Sequence, residues 1–124
     1  MMKEKFLERA KENLKAAHLL FDNALYNAMA NRAYYAAFHA AIVALAAAGH
    51  IPQMRHETVQ AKFNDELIRR RKLYPRRFSS SLSDLQLVRN KADYDSEGVS
   101  KNVASRMLAK AEKFVRTVEK EINP

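Results

Sequence analysis

Apolar residues recur every three or four positions through most of this chain, which is the spacing of one face of an α-helix. This spacing predicts five helices, at about residues 2–22, 24–49, 56–71, 79–95 and 100–122. The second is apolar on most of its faces, so we expect it to lie at the centre. Since strand alternation and long linkers are lacking, we expect one domain, residues 1–124, with an all-α fold: a five-helix antiparallel bundle.

Residues that commonly end or begin helices lie between the predicted segments. Gly49 and the nearby Pro52 are typical of a helix C-terminus and predict the end of the second helix. The run Ser79–Ser81 offers N-cap candidates for the fourth helix, and Ser100 offers one for the fifth.

The composition fits a folded helical domain and narrows the chemistry. Hydrophobic residues make up 48% of 124 residues, while glycine occurs twice and proline three times. No cysteine is present, which excludes disulfides and thiolate metal sites. The four histidines form no i,i+4 pair and no Glu-x-x-His arrangement, so we expect neither a metal site nor a cofactor.

The start of the chain is charged and lacks the apolar core of a secretory signal. The most apolar stretch, residues 36–49, is shorter than the roughly 20 residues that span a bilayer. We therefore expect a cytoplasmic protein that does not enter a membrane.

Positive charge is concentrated in one segment. The net charge is +8, and residues 55–80 hold eight Lys and Arg against three Asp and Glu. Such a surface attracts polyanions, including nucleic acid, nucleotides or an acidic protein, although a merely solvated basic surface has the same composition. We define the basic patch as six residues: Arg69, Arg70, Arg71, Lys72, Arg76 and Arg77.

Polar side chains interrupt the second helix along one stripe, which contains Arg32, Tyr35 and His39. An unpaired guanidinium is costly to bury, so Arg32 is expected to meet a carboxylate or to reach solvent. The stripe fits a packing arginine among core tyrosines, and it also fits a binding surface.

A second polar cluster, Arg89, Asn90, Asp93 and Tyr94, ends the fourth helix. Arg89 and Asp93 are four residues apart, so they share a face and can form an ion pair. In the alternative, Arg89 holds a phosphate through its planar guanidinium, while Asn90 and Tyr94 hydrogen-bond the rest of a nucleotide.

Three features together resemble the HEPN superfamily, in particular its small stand-alone prokaryotic members: the segment NRAYYAAFHA at residues 31–40, His56, and RNKADY at residues 89–94. The likeness covers nearly the whole chain. It implies a homodimer whose motif helices face one another across a cleft. Many members are encoded beside a minimal nucleotidyltransferase, with the HEPN protein resembling a toxin and the nucleotidyltransferase neutralising it. Other members are metal-independent ribonucleases with an Arg-x4-His motif.

Here Arg89 matches the motif arginine and Asn90 its polar neighbour, but Tyr94 stands where active relatives have histidine. A phenol titrates near pH 10, far from the optimum of a general base at neutral pH. The resemblance also makes Tyr94 a candidate to hydrogen-bond phosphate or to accept a nucleotidyl group from the partner enzyme.

We therefore predict a nucleotide- or RNA-binding HEPN component that lacks standard ribonuclease activity. The predicted binding residues are Arg89, Asn90, Asp93, Tyr94, Arg32 and Tyr35, and the candidates for any catalysis are Arg89, Tyr94 and His39. One alternative is an active ribonuclease toxin in which His39 or His56 supplies the proton chemistry. Another is a structural interaction domain in which Arg89, Asp93 and Tyr94 lock the helices together.

Overall fold

The structure is a computed structural model that describes residues 2–50 and 55–124. It contains five α-helices: α1 Met2–Asp22, α2 Tyr26–Ala47, α3 His56–Lys62, α4 Arg77–Tyr94 and α5 Lys101–Ile122. A π-helical segment, Phe63–Arg70, continues α3. No strand occurs in these two ranges, and the predicted all-α helical bundle is confirmed. Pro52, predicted to help end the second helix, lies outside the described residues.

Helix α2 is the centre of the bundle, as its apolar pattern predicts. It packs against α1, α3, α4 and α5, and its buried face is rich in alanine. Ala33, Ala36, Ala37 and Ala40 are fully buried, and their small side chains allow neighbouring backbones to approach closely. Among the helices described, none has the length and apolar character needed to cross a bilayer.

The two capping predictions have different outcomes. The Ser100 hydroxyl accepts a hydrogen bond from the backbone N–H of Val103 at 3.2 Å, so Ser100 caps α5 as predicted. The prediction for Ser79–Ser81 is wrong, because α4 already begins at Arg77 after a turn at Pro75. Ser80 and Ser81 instead donate their hydroxyls to the Arg77 carbonyl at 3.0 and 3.1 Å, inside the first turns of the helix.

The connection from α4 to α5 is held against the start of α2. Asn27 accepts a hydrogen bond from the backbone N–H of Val99 through its side-chain oxygen at 2.9 Å. The neighbouring Gly98 has φ 74°, and a Cβ there would lie 2.8 Å from the same oxygen. Glycine therefore permits the close approach that brings the C-terminal end of α4 beside α2.

An aromatic cluster joins the π-helical segment, α4 and α5. The ring centres of Phe63 and Phe114 are 5.2 Å apart, and those of Phe78 and Phe114 are 4.7 Å apart. All three side chains are at most 2% exposed. This packing fixes the start of α4, and with it the direction in which the rest of α4 presents its polar side chains.

Candidate functional site

Arg89 lies on the side of α4 that faces α2, where two tyrosines meet its guanidinium. Its central carbon is 5.7 Å from the ring centre of Tyr34 and 5.3 Å from that of Tyr35. The Arg89 side chain is 23% exposed. Cation–π contact of this kind holds the planar cation in place without using any of its N–H groups.

The N–H groups of Arg89 lack partners among the described residues. The Nε atom is 3.7 Å from Asp93 Oδ2, which confirms the predicted i,i+4 ion pair but is too long for a hydrogen bond. The same Nε is enclosed by protein and has no acceptor. No terminal N–H of Arg89 makes a hydrogen bond within the described ranges either. The site therefore contains a positioned cation whose hydrogen-bonding capacity is unused.

Beside Arg89, a buried phenol and an imidazole form a hydrogen-bonded pair. The Tyr34 side chain is fully buried, and its hydroxyl is hydrogen-bonded to His56 Nδ1. Burial raises the pKa of Tyr34 to about 12, so the phenol stays protonated at neutral pH. Burial, and secondarily the charge of Arg89, lowers the pKa of His56. His56 is thus a neutral imidazole at neutral pH.

Packing fixes the position of His56. Its ring stacks on Phe38, with centres 4.5 Å apart, and on Tyr34 at 5.3 Å. One turn further along α3, Gln60 donates a hydrogen bond to the side-chain oxygen of Gln86 on α4 at 2.7 Å. The end of α3 that carries His56 is therefore tied both to α2 and to the helix that carries Arg89.

Arg32 also contacts Tyr35, with its central carbon 5.4 Å from the ring centre, but each of its three side-chain nitrogens donates a hydrogen bond. Nη1 donates to the side-chain oxygen of Asn13 at 2.8 Å, while Nε and Nη2 donate to that of Asn31 at 3.2 and 2.5 Å. We expected a carboxylate partner or solvent. No carboxylate pairs with Arg32 in the described residues, and two amide oxygens supply acceptors instead. The side chain is only partly buried and lines a groove, which agrees with the alternative of solvent contact.

His39 belongs to the Arg32 side of the site. Its Nδ1 is 3.3 Å from the side-chain nitrogen of Asn13, and its ring centre is 6.0 Å from that of Tyr35. Burial, followed by the charges of Arg9 and Arg32, lowers the pKa of His39. No hydrogen bond or ring contact in the described residues joins His39 to Arg89.

The structure brings together four of the six predicted binding residues. Arg32 and Arg89 both contact the ring of Tyr35. Arg32 and Asp93 line one shallow groove of about 370 Å³. Asn90 and Tyr94 are exposed on α4. Tyr94 is 84% exposed and makes no hydrogen bond or ring contact with the described residues. It is open to solvent, outside the Arg89 cluster.

The basic patch divides into paired and unpaired cations. Arg69 pairs with Asp65 at 3.3 Å, and Arg70 pairs with Glu66 at 2.7 Å. Arg71 donates to the carbonyl of Ala48 at 3.3 Å. No ion pair is formed, within the ranges that the structure describes, by three members of the patch: Lys72, Arg76 and Arg77.

Tyr34 is the site residue that sequence reasoning missed, whereas His56 entered as part of the family resemblance and as an alternative source of the proton chemistry. A tyrosine on a mostly apolar helix is normally interpreted as a residue of the hydrophobic core, and Tyr34 is indeed buried. The available signal was the pair of adjacent tyrosines, which presents rings on two neighbouring faces of α2. No cluster of three or more potential metal ligands is found in the described part of the chain.

Comparison with known proteins gives the family. The HEPN domain model matches residues 3–121, and the chain belongs to the HEPN domain family. A relative from Methanocaldococcus jannaschii, named "Putative toxin MJ0605", is 33% identical over 119 residues, which cover 94% of this chain and 85% of that protein.

Proposed function

We propose that this chain is the nucleotide- or RNA-binding HEPN component of a cytoplasmic, two-gene system of the toxin–antitoxin type. Its partner is a minimal nucleotidyltransferase, and it lacks the standard ribonuclease activity of the superfamily. Family membership and a relative named as a toxin support the general class. The observation that carries the binding function is the Arg89 guanidinium, held on two tyrosine rings with no hydrogen-bond acceptor of its own.

An oxyanion is the ligand that suits Arg89. A guanidinium edge presents parallel N–H donors that match two phosphate oxygens, and hydrogen bonds between charged groups are about twice as strong as neutral ones. The guanidinium carbon lies over the rings of Tyr34 and Tyr35, and the Arg89 side chain keeps 23% of its surface exposed. The carboxylate that pairs with it, Asp93, is 3.7 Å from Nε and hydrogen-bonds none of the N–H groups. A nucleotide phosphate would therefore supply acceptors that the described protein does not.

The absence of ribonuclease activity is proposed from the position of Tyr94. Family ribonucleases need a proton-handling histidine at this place in the motif, and a phenol is a poor general base at neutral pH. Tyr94 is exposed and hydrogen-bonds no described group that could take its proton.

The outer face of α4 supports the proposed homodimer. Leu87 is 66% exposed and Tyr94 84% exposed, and their spacing of seven residues places them on one face of the helix. A second copy packed on this face would cover Leu87 and Tyr94, whereas Arg89 lies on the side of α4 that faces α2. Leu87→Glu should then yield a monomer in light scattering, while Leu19→Glu on α1, where Leu19 is 55% exposed, should not change the mass. A native protein that is already monomeric would rule out this dimer.

Nucleotide binding is tested with purified protein, using ATP and a short single-stranded RNA as probes. Arg89→Gln should lower the affinity for one or both by about tenfold or more, since a hydrogen bond to a charged group contributes about 1.5–3 kcal/mol. Arg106→Gln, which removes the same charge from an exposed position on α5, is the control. Unchanged binding in Arg89→Gln would remove Arg89 from the site. The native protein should leave the RNA intact.

The partner half of the proposal concerns Tyr94. In the single chain its hydroxyl is accessible to a second protein, which would compete with the proposed dimer for this face of α4. In a nucleotidyl transfer, the phenolic oxygen attacks the α-phosphorus of a nucleoside triphosphate, pyrophosphate leaves, and the phenolic proton passes to a base of the partner. Mass spectrometry after co-expression with a minimal nucleotidyltransferase of the proposed kind should find a nucleotidyl group on native protein and none on Tyr94→Phe. An unmodified native protein would reject this step.

An active ribonuclease is the second candidate, and the position of His56 favours it. The imidazole lies next to the Arg89 cluster through Tyr34, whereas His39 is hydrogen-bonded on the Arg32 side. A neutral imidazole can serve as a general base at neutral pH. If the native protein cleaves RNA, His56→Gln should abolish cleavage and His39→Gln should preserve it. No cleavage by native protein, together with no effect of its expression on growth, would remove this candidate.

A further inference from the structure

A second groove lies between the π-helical segment and the start of α4, and we call it the α4 groove. Its volume is about 680 Å³, within the range typical of ligand pockets. Ser79 in this groove precedes Arg89 by ten residues of α4, which corresponds to roughly 15 Å along the helix axis. Six polar or aromatic residues line most of the groove: Asn64, Arg69, Lys72, Tyr74, Arg76 and Ser79.

The charge of the α4 groove is positive and largely uncompensated. Lys72 and Arg76 form no ion pair in the described ranges, while Arg69 shares its charge with the exposed Asp65. The first turn of α4 contains no acidic residue, so the positive end of the helix dipole adds to the same potential. Two free cations therefore face a cavity large enough for a nucleotide.

The backbone around Lys72 is unusual. Lys72 has φ 53°, a left-handed conformation that is uncommon for residues other than glycine. It follows the π-helical segment, and the next amide, Leu73 N–H, donates to the Leu67 carbonyl at 2.8 Å. Both π-helical turns and sparsely populated backbone conformations are frequent at functional sites. Here they place Lys72 at the edge of the groove.

Uncharged polar groups of the groove also lack partners. The Asn64 side-chain oxygen is enclosed and accepts no hydrogen bond, so nothing in the described protein fixes the orientation of this amide. The Ser79 hydroxyl makes no hydrogen bond within the described residues. Tyr74 is 5% exposed, and burial raises the pKa of its hydroxyl above the ordinary value, so it remains a donor. A ligand with both anionic and neutral polar groups would satisfy them.

We propose that the α4 groove is a second binding site, separate from Arg89, for the phosphate groups of a nucleotide, either free or as part of RNA. Lys72 and Arg76 contact the phosphate, and Asn64 contacts the nucleoside after rotation of its amide. The site does not depend on Arg89, so it can exist whether or not the proposed function of Arg89 is correct.

The surface beyond the groove distinguishes the two sources of phosphate. On the other side of the start of α4, a smaller cleft of about 270 Å³ is lined by Arg77, Lys110 and Lys113. Lys110 is 3.7 Å from Asp84, but Lys113 has no ion pair in the described chain. A strand of RNA seated in the groove would reach this cleft, whereas a free nucleotide would not.

The test removes the two free cations without disturbing the backbone. The variant is Lys72→Asn with Arg76→Gln, because asparagine tolerates a positive φ better than most residues. The control is Lys5→Gln with Lys15→Gln, which makes the same change in net charge on α1. Helix α1 packs on α2 and α5, away from α4 and the π-helical segment. The probes are ATP and a short single-stranded oligoadenylate, titrated at several salt concentrations.

The groove variant should bind at least one probe about tenfold more weakly, while the control changes less than about twofold. For RNA, the slope of log affinity against log salt should fall by about 1.4, the value for two lost phosphate contacts on a single strand. Lys113→Gln should lower the affinity for RNA if the ligand is RNA, and should leave ATP binding unchanged if the ligand is a free nucleotide.

Equal binding by the groove variant and the control, with both folded by circular dichroism, would overturn the α4 groove as a site. Arg89→Gln is measured in parallel to separate the two proposals. Loss of binding in Arg89→Gln alone would support the proposed function of Arg89 and reject the α4 groove as a site. Loss of binding in the groove variant alone would support the α4 groove and reject the proposed function of Arg89.

Discussion

Arg32 and Arg89 place their guanidinium groups on the same tyrosine, at 5.4 and 5.3 Å from the ring centre of Tyr35, yet their surroundings differ. Each potential donor atom of Arg32 donates to Asn13 or Asn31. Arg89 donates no hydrogen bond to the described protein, and its Nε is enclosed. Buried polar groups are normally paired, so the exception calls for an explanation. Arg32 acts as a structural tie between α1 and α2, and Arg89 fits a group reserved for a ligand.

The two histidines are divided between the two arginines, one beside Arg32 and one beside Arg89. His39 lies with Arg32, and its ring is tilted relative to the rings of Phe6 and Tyr35. His56 lies with Arg89 and stacks on Phe38 and Tyr34. Both sides therefore combine a cation, an imidazole and aromatic rings. The two sides differ in whether the cation already has its acceptors.

The largest expected effect is on stability, from removal of the ring beneath each imidazole. Phe38→Ala should lower the free energy of unfolding by about 3–5 kcal/mol, because it opens a cavity next to His56 in the centre of the bundle. Phe6→Ala should cost less, because the first turns of α1 can relax toward the space that is left. Chemical denaturation of both variants measures the difference. Equal losses would mean that both aromatic clusters are equally rigid.

The next largest effect on stability distinguishes Arg32 from Arg89. Arg32→Met should lower the free energy of unfolding by about 1–3 kcal/mol, since it breaks hydrogen bonds to a charged group and leaves amide oxygens unpaired. Arg89→Met should change it by no more than about 0.5 kcal/mol or raise it, since methionine packs against the tyrosines and removes an unsatisfied Nε–H.

Thermal and denaturant unfolding of the two methionine variants test this contrast. A loss of about 3–5 kcal/mol in Arg89→Met would mark a broken buried pair and would favour the structural interaction domain over a binding site.

Sequence spacing predicted the helices well, because the apolar repeat and the capping residue that define a helix lie within that helix or directly beside it. The repeat of apolar positions and the Ser100 hydroxyl lie within α5 and its cap, and both are confirmed. The start of α4 was misplaced because a turn at Pro75 brings Arg77 into the helix before the serines. The π-helical continuation of α3 was not predicted either, since its spacing of apolar residues, Phe63 and Leu67, also fits an α-helix.

The site was predictable where its members share a helix and not where they meet across helices. Arg89 and Asp93 are four residues apart, and their ion pair follows from helical geometry. Tyr34 and His56 are 22 residues apart in sequence and meet only because α3 packs on α2. Likewise, the amide partner of Arg32 on α1, Asn13, depends on how two helices are juxtaposed. Spacing along one helix contains no such information.

The pH dependence offers a finer test of the two sides. Because burial lowers the pKa of both His56 and His39, the folded protein binds fewer protons than the unfolded chain between each folded pKa and the ordinary value near 6.5. The free energy of unfolding should therefore reach its full value above this pH interval. It should decrease as the pH falls through the interval.

Each arginine should influence only its own imidazole. Arg89→Gln should raise the pKa of His56 and leave His39 unchanged, because the Arg89 charge disfavours protonation of His56. Arg32→Gln should raise the pKa of His39 and leave His56 unchanged. Titration of the imidazole resonances by NMR follows both. A shift of both histidines in either variant would show that the two sides behave as one electrostatic unit.

The smallest expected effect concerns the carboxylate beside Arg89. Asp93→Asn should change the free energy of unfolding by less than about 0.5 kcal/mol, as expected for an i,i+4 pair at 3.7 Å on a helix. Its effect on binding should be opposite in sign to that of Arg89→Gln, with the affinity for ATP rising about twofold to threefold, because a negative charge that competes with phosphate is removed.

Asp84→Asn is the matched control, since Asp84 lies on the same helix and is also 3.7 Å from its partner, Lys110. A gain in both variants would reflect net charge alone, and a loss in Asp93→Asn would show that the carboxylate itself holds the ligand. A gain confined to Asp93→Asn would show that the phosphate contacts the cation of Arg89 once the Asp93 charge is removed.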